Sequence, residues 1–202
     1  MADDFKYHIE QHGSLVRPPA LIAARASGAS GDVLAAAEEE AVTGAAHLQR
    51  RLTLSMVGDG QFRRSHFESV VYDHVSGFSS ATGPAPLADA AGIAPQRRRA
   101  VTAPVANGRL AQAEVVPVLA VVDRPVFVQL PSPGYLAAVG SALSGPESVA
   151  SVKAAGAALA AILRTEIEAL AAEGVAYVAL GNPLYPPLLT VSGRAELAGA
   201  GV

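Results

Sequence analysis

The sequence predicts an α/β fold in which short parallel strands are covered by long helices. Short apolar runs that suit buried strands alternate with longer segments of helical periodicity. Each apolar run is followed by a polar or glycine-rich loop, at residues 12–14, 58–61, 131–133 and 181–183. In a parallel sheet the loops that follow the strands share one edge, where α/β proteins keep their binding sites.

The first part of the chain predicts two strands and two helices. Residues 5–11 alternate as a strand does, and the pair Pro18-Pro19 sets the start of a helix. A longer helix begins near Ser30 or Asp32. Its predicted inward positions, spaced three and four apart, are Val33, Ala37, Ala41, Ala45, Leu48 and Leu52. Residues 53–57 form the second strand and lead into the loop at 58–61.

Residues 76–124 are predicted as an excursion from the main fold. Gly, Pro and Ser dominate its first part. Two β-like runs, 100–106 and 113–121, then flank Asn107-Gly108, which is a strong hairpin signal. Residues 97–99 are three consecutive arginines, which we expect to be solvated or to face a partner.

The last part predicts a strand at 125–130, a long helix and a fourth strand at 175–180. Ser132 is expected to fix the turn after the first of these strands, and a capping box at 144–147 starts the helix. Four such units make half of a (β/α)8 barrel. The sequence therefore predicts a partial (β/α)8 TIM barrel over residues 1–202, as a single domain. Because apolar strands at an open edge should not stay exposed, we expect a partner chain to complete it.

Composition argues against several classes of function. Half of the 202 residues are apolar, which is enough for one sizeable core. The net charge of −3 gives no overall basis for binding nucleic acid or an anionic membrane. With no cysteine, the chain forms no disulfide and offers no thiolate to a metal. No segment has the layout of a signal peptide or a comfortable membrane span, so we expect a cytoplasmic protein.

The loop segments resemble the cobalamin-independent methionine synthase family. The segments that carry the resemblance are GSLVRPPALIAAR (13–25), VGDGQFRRSHF (57–67), LPSP (130–133) and EIEALAAEGVAYVALGNP (166–183). They occur in the family's order and cover nearly the whole chain. The resemblance implies a TIM barrel in which zinc activates a thiol to accept a methyl group from a folate. It also implies that Gly13 and Ser14 hold an amino-acid substrate through backbone contacts.

The chain departs from the family's pattern at its charged positions. Gln61 stands where the family usually has a glutamate that binds the ammonium of the substrate. Gly181 and Asn182 stand where it usually has acids, and the family's zinc ligands would lie in the part after them, which holds no His or Cys. The resemblance therefore implies no metal ligand and no cofactor in this chain alone. Zinc and a folate-type methyl donor are expected only in an assembled complex.

The candidate site residues lie in the loops that follow the strands. Those predicted to bind substrate are Gly13, Ser14, Asp59, Gln61, Arg63 and Asn182. His12, beside the Gly-Ser pair, is the candidate for proton transfer. Arg63 and Arg64 suit a clamp for a carboxylate or phosphate, and equally a solvated helix start or an interface. For most of these residues a plainer interpretation stays open, in which the side chain only satisfies backbone groups of its loop.

Three functions follow from this sequence. The leading one is a subunit of a split methionine-synthase-like methyltransferase, which supplies the amino-acid side of the site while a second polypeptide supplies the metal half. The alternative is a non-catalytic binding or regulatory protein, derived from the same barrel and closed by homodimerisation. The third is a new activity that uses His12 and the rest of the rim. The predicted ligand is a small amino-acid-like or thiol compound.

Overall fold

A computed structural model describes residues 11–143 and 145–199 and shows a mixed α/β chain. The helices are α1 (Pro19–Ala26), α2 (Gly31–Arg51), α3 (Ser69–Tyr72), α4 (Pro86–Ala90), α5 (Gln112–Val121), α6 (Pro133–Ala138), α7 (Gly145–Ala172), α8 (Tyr185–Leu189) and α9 (Val191–Gly199). The strands are β1 (Val75–Ser80), β2 (Arg99–Ala106), β3 (Phe127–Pro131) and β4 (Tyr177–Gly181). Apart from Gln11, the predicted first strand at 5–11 lies outside the described residues, as does the predicted cap at Ser144.

The chain divides into two compact units, each built from three chain segments. Unit 1 contains residues up to Ser65, Ala111–Gln129 and Ala169–Ala179. Unit 2 contains His66–Leu110, Leu130–Glu168 and the residues from Leu180 onward. The prediction that residues 1–202 form a single domain stays a prediction.

In unit 1, helix α2 packs against α1 and α5 around one apolar cluster. The fully buried members of this cluster include Leu21, Val42, Ala46, Val57, Val118 and Val126. The predicted helix is confirmed, but its inward face is rotated. Ala41 and Ala45 are buried as predicted, whereas Val33, Leu48 and Leu52 are exposed and Val42, Ala46 and Gln49 are buried. On an alanine-rich helix several stripes have the same spacing, and the packing partners select among them.

The predicted hairpin at residues 107–108 is wrong. Strand β2 pairs antiparallel with β1, and the second β-like run forms helix α5. The N–H of Asn107 donates to the carbonyl of His74 at 2.8 Å, which closes the end of the β1–β2 pair. As a helix, α5 buries Val115 and Val118. Burial within unit 1 has overridden the β-propensity of this valine-rich run.

The second sheet contains β3 and β4, which are confirmed as strands. The N–H of Ala176 donates to the carbonyl of Val126 at 2.9 Å, and the N–H of Ser132 donates to that of Gly181 at 2.8 Å. Because the partners advance in the same direction along both strands, the pair is parallel.

The predicted second strand at 53–57 is reduced to one parallel bridge between Val57 and Val126. The N–H of Leu54 still donates to the carbonyl of Gln49 at 3.1 Å, so the end of α2 uses residues that were predicted as strand. The order from this bridge through β3 leaves β4 at the edge of the sheet among the described residues.

Candidate functional site

The loop at residues 58–61 follows the Val57 bridge and is held by helix α2. The buried Gln49 side chain donates from Nε2 to the carbonyl of Gly58 at 2.7 Å, and its Oε1 accepts from the N–H of Gly58 at 3.1 Å. Gly60 and Gln61 have positive φ angles of 73° and 59°. This conformation favours glycine, so the loop is fixed at one end by an amide and turned sharply at the other.

Asp59 is buried in this loop with one oxygen paired and the other unpaired. The N–H of Gln61 donates to Oδ1 at 2.9 Å, whereas Oδ2 has no hydrogen-bond partner in the described part of the chain. Burial, followed by the charge of Glu114, raises the pKa of Asp59 to about 7, although the charge of Arg64 lowers it. Asp59 is therefore a carboxyl group that titrates near neutral pH and has an oxygen available to a donor.

A small cavity of about 10 Å³ lies beside Asp59, and its lining includes Gln11, Gly13, Gln61 and Gln129. The Oε1 atom of Gln11 is also buried without a hydrogen-bond partner among the described residues. A water molecule needs roughly 10–15 Å³. The cavity therefore suits one donor group of water's size, with two oxygens to accept from it.

Gln61 is already engaged with a neighbour at this cavity. Its Nε2 donates to Oε1 of Gln129, which is buried on β3, at 3.2 Å. An amide carries no charge, so the negative charge at this cavity comes from Asp59.

A buried ion pair joins the same loop region to helix α5. Arg64 donates from Nε and Nη2 to the two carboxylate oxygens of Glu114, each at 2.6 Å, and from Nη2 to the carbonyl of Gln129 at 2.8 Å. The side chains are only 2% and 6% exposed. Charge-assisted bidentate pairs of this kind are strong and specific in geometry. The contacts of Arg64 are thus structural and do not form a clamp for an external anion.

Arg63 lies against the acids of helix α2. It forms an ion pair with Glu39, and its Nη1 is 3.6 Å from Oε2 of Glu38. These contacts fit the interpretation of Arg63 as a structural residue. Its predicted role in substrate binding stays a prediction.

The structure brings three of the predicted site residues together. Gly13, Asp59 and Gln61 line the same cavity, and Gly13 has a positive φ of 83°. His12 and Ser14, which flank Gly13, are exposed to solvent. The roles predicted for them, proton transfer for His12 and substrate binding for Ser14, stay predictions.

Asn182 belongs to unit 2 and is engaged in its own loop. Its Oδ1 accepts from the N–H of Leu184 at 3.0 Å, which is a turn-forming contact. Ser132 fixes the turn after β3, as predicted, because its Oγ accepts from the N–H of Tyr135 at 3.2 Å and caps helix α6.

Four polar residues around the unit 1 cavity were not predicted. They are Gln11, Gln49, Glu114 and Gln129. Glu114 and Gln129 stand at or within apolar runs, and a polar residue in a buried run needs a partner. That signal could have identified both. Gln49 was missed because the predicted inward face of the helix included the adjacent Leu48 and not Gln49.

Unit 2 contains a separate buried acid, Glu68. It accepts from Arg97 at 2.7 Å (Nη2) and 3.1 Å (Nε), and also from the hydroxyl of Tyr135. Burial and the hydrogen bond to Glu68 raise the pKa of Tyr135, and the same acid raises the pKa of Arg97. Arg97 is thus bound to Glu68 while its side chain stays 31% exposed, so the prediction that residues 97–99 are solvated or face a partner is met only in part there. It is wrong for Arg98, which donates from Nε to the carbonyl of Ile93 at 2.8 Å.

Ser69, His66 and Glu68 lie close together but do not form a catalytic triad. Oγ of Ser69 is 2.5 Å from Nδ1 of His66, and Oε2 of Glu68 is 3.7 Å from the same nitrogen. In a triad the nucleophile and the acid contact opposite nitrogens of the imidazole ring. This cluster therefore lacks the geometry for nucleophilic catalysis.

The described residues do not fit the zinc that the resemblance implies. Across 11–143 and 145–199, no three or more His, Cys, Asp or Glu side chains are grouped so that they could hold a metal ion. The sequence contains no cysteine. Over the same ranges, no helix combines the length and apolar character that crossing a membrane requires.

A solved structure shares the fold of this chain. It is that of a B12-independent methionine synthase from Shewanella sp. W3-18-1 in complex with selenomethionine, with a TM-score of 0.63 and 17% sequence identity. The match covers 85% of this chain and 48% of the synthase, so the chain spans about half the length of that protein. No protein-family profile and no curated protein matches the sequence. At this identity the likeness shows the fold: a mixed α/β chain similar to half of a methionine synthase.

Proposed function

We propose that this chain is the amino-acid-binding half of a methionine-synthase-like methyltransferase. It holds the ammonium group of an amino-acid-like ligand through Asp59. The observation that carries the proposal is the buried Oδ2 of Asp59, which has no donor among the described residues and belongs to a residue that lines a cavity of about 10 Å³ with the similarly unsatisfied Gln11. An ammonium group is close to water in size and brings three donors. The fold likeness to a methionine synthase in complex with selenomethionine supports the same class of ligand.

Asp59 supplies the charge that Gln61 lacks. A carboxylate binds an ammonium group more strongly than an amide does, because the hydrogen bond is charge-assisted. The pKa of Asp59 is raised to about 7 chiefly by burial, and an ammonium beside it favours the ionised form. Affinity for the ligand is therefore expected to increase as the pH rises through about 7.

The other half of the active site comes from a second polypeptide in this proposal. Strand β4 has no neighbour on its outer edge among the described residues, and Tyr177 and Leu180 are 49% and 48% exposed there. An exposed strand edge with apolar side chains is a surface for adding strands. Zinc and a folate-type methyl donor belong to that partner, so this chain's own part is to bind and orient the amino acid.

Calorimetric titration with L-methionine, and with its desamino analogue, tests the proposal. A charge-assisted hydrogen bond is worth roughly 1.5–3 kcal/mol, so methionine should bind about 10- to 100-fold more tightly than the analogue. Asp59→Asn should remove this difference. Asp123→Asn, which changes an exposed acid of the same unit, is the matched control. Equal affinity of the unmodified chain for both compounds would rule the proposal out.

A non-catalytic binding protein is the second candidate. The observations that favour it are the neutral Gln61 at the cavity and the lack of a metal-ligand group among the described residues. Native mass spectrometry with zinc determination, after co-expression with neighbouring reading frames, separates the two candidates. A complex with a zinc-binding second polypeptide supports the methyltransferase, and methionine binding without any zinc-binding second polypeptide, whether the chain is a monomer or a dimer, supports the binding protein.

A further inference from the structure

A groove of about 520 Å³ runs along helix α7 in unit 2. Its apolar lining comes from Leu163 and Ile167 on the helix and from Pro133 and Leu180 opposite them. Leu163 is buried at the bottom of the groove, whereas Leu180 is about half exposed to solvent. A partner that fills an apolar groove removes apolar surface from water, which favours association.

Two opposite charges stand at the edge of this groove, one helical turn apart. Arg164 and Glu168 are both exposed, and neither forms an ion pair with another residue in the described part of the chain. Within a helix, an arginine that precedes a glutamate by four residues is the less favourable order for pairing. Both charges are therefore available to a partner.

We propose that a second copy of this chain occupies the groove. Its α7 packs antiparallel to the first, so that Arg164 of each copy faces Glu168 of the other. A two-fold axis makes every contact reciprocal, and a pattern of one positive and one negative charge is complementary to itself about such an axis. The apolar lining supplies the buried area, and the two ion pairs select the register.

The argument for the dimer does not use the cavity beside Asp59, although Leu180 lies both in the groove and on the exposed edge of β4. The groove is lined only by residues of unit 2, whereas the cavity beside Asp59 is lined only by residues of unit 1. Self-association and methionine binding can therefore be measured separately on the same variants.

Sedimentation velocity over a range of concentrations tests the proposed dimer. The unmodified chain is expected to dimerise. Arg164→Glu and Glu168→Arg should each raise the dissociation constant at least about tenfold, because each creates two like-charge contacts per dimer. The double variant Arg164→Glu/Glu168→Arg restores both pairs with reversed sign and should return to within about threefold of the original value. Lys153→Glu, an exposed charge reversal on α7 outside the groove, should have no effect.

Three results would overturn the inference. They are a monomer at every concentration, a dissociation constant that neither single reversal changes, and a double variant whose dissociation constant stays as high as those of the single variants. Circular dichroism and methionine calorimetry on the same samples show whether each variant is folded. If self-association fails while methionine still binds, the dimer is wrong and the proposed function stands. If the chain dimerises as expected but does not bind methionine, the dimer stands and the proposed function is wrong.

Discussion

Both units bury a carboxylate that is bound by arginine, but among residues 11–143 and 145–199 only unit 1 also holds an acid with an unsatisfied oxygen. In unit 2, Glu68 accepts three hydrogen bonds from Arg97 and Tyr135. In unit 1, Glu114 is bound twice by Arg64, yet Oδ2 of the neighbouring Asp59 has no donor among the described residues. A satisfied cluster stabilises a fold, whereas a buried oxygen without a donor destabilises it. The comparison separates a structural cluster in unit 2 from a candidate binding site in unit 1.

The largest effect is expected from Glu114→Gln, which breaks the structural pair beside the candidate site. It removes the counter-charge of Arg64 at a place where both side chains are almost fully buried. Breaking a buried pair from one side lowers the free energy of unfolding by roughly 3–5 kcal/mol. Urea denaturation at pH about 8 measures this loss.

The double variant Arg64→Met/Glu114→Leu is the control for this prediction. Replacing both members of a buried pair with apolar side chains of similar volume is often neutral, so most of the stability should return. A double variant as unstable as Glu114→Gln would mean that shape, not charge, accounts for the loss.

Asp59→Asn is expected to have the next largest effect, and its sign depends on pH. Asp59 has a pKa of about 7 in the folded chain against an ordinary value of 3.8, so the folded state binds the proton more tightly. The stability that this proton contributes is full below pH about 4 and is lost as the pH rises through about 7. Since asparagine stays neutral, the variant should become more stable than the unmodified chain by up to roughly 4 kcal/mol above pH 7.

Urea denaturation of both proteins at a series of pH values between about 4 and 8 measures this difference. Asp123→Asn should show no such trend, because its carboxylate is exposed. A constant difference between Asp59→Asn and the unmodified chain across the series would mean that Asp59 is already ionised near pH 4.

Glu68→Gln probes the satisfied cluster of unit 2 and should cost less than Glu114→Gln. The side chain of Arg97 is 31% exposed, so water can solvate its guanidinium group after the carboxylate is lost. The glutamine oxygen can still accept from the hydroxyl of Tyr135. We expect a loss of about 2 kcal/mol in the free energy of unfolding, and about 1 kcal/mol for Tyr135→Phe, by thermal or urea denaturation. A loss equal to that of Glu114→Gln would mean that the greater exposure of Arg97 does not reduce the cost of breaking its pair.

The smallest effect is expected from Ser132→Ala, which removes the cap of helix α6 and loosens the placement of Tyr135. Loss of a serine cap costs about 1 kcal/mol, which calorimetry detects as a small drop in melting temperature. Ser151→Ala, at an exposed position in the second turn of α7, should change stability by less than about 0.5 kcal/mol. If both variants behave alike, the Ser132 hydroxyl does not stabilise α6.

Long periodic elements could be predicted from the sequence, and short ones depended on their surroundings. Helices α2 and α7 are long and carry apolar positions at helical spacing, which is a local signal. Residues 113–121 have strong β-propensity, yet they form helix α5 because Val118 then joins the unit 1 core. Local pattern does not contain that information, since the packing partner comes from a distant part of the chain.

The candidate site also divides into residues that the local sequence indicates and residues that only the folded chain brings together. Asp59 and Gln61 could be found because a polar loop after a strand is a local signal. Gln129 meets Gln61, Glu114 meets Asp59 and Gln49 meets the adjacent Gly58 only in the folded chain. For this reason the sequence pointed to Gln61 as the altered position, whereas the structure shows that Asp59 has the unsatisfied oxygen.

The contact between Gln49 and Gly58 has a consequence for redesigning ligand preference. By bonding both the N–H and the C=O of one residue, the Gln49 amide copies what a neighbouring strand does for a sheet. The loop is thereby anchored to helix α2 through its backbone at Gly58, whereas the side chains of the loop come from residues 59 and 61. A library that randomises these two positions while keeping Gln49 and Gly58 should therefore yield folded members with new binding preferences.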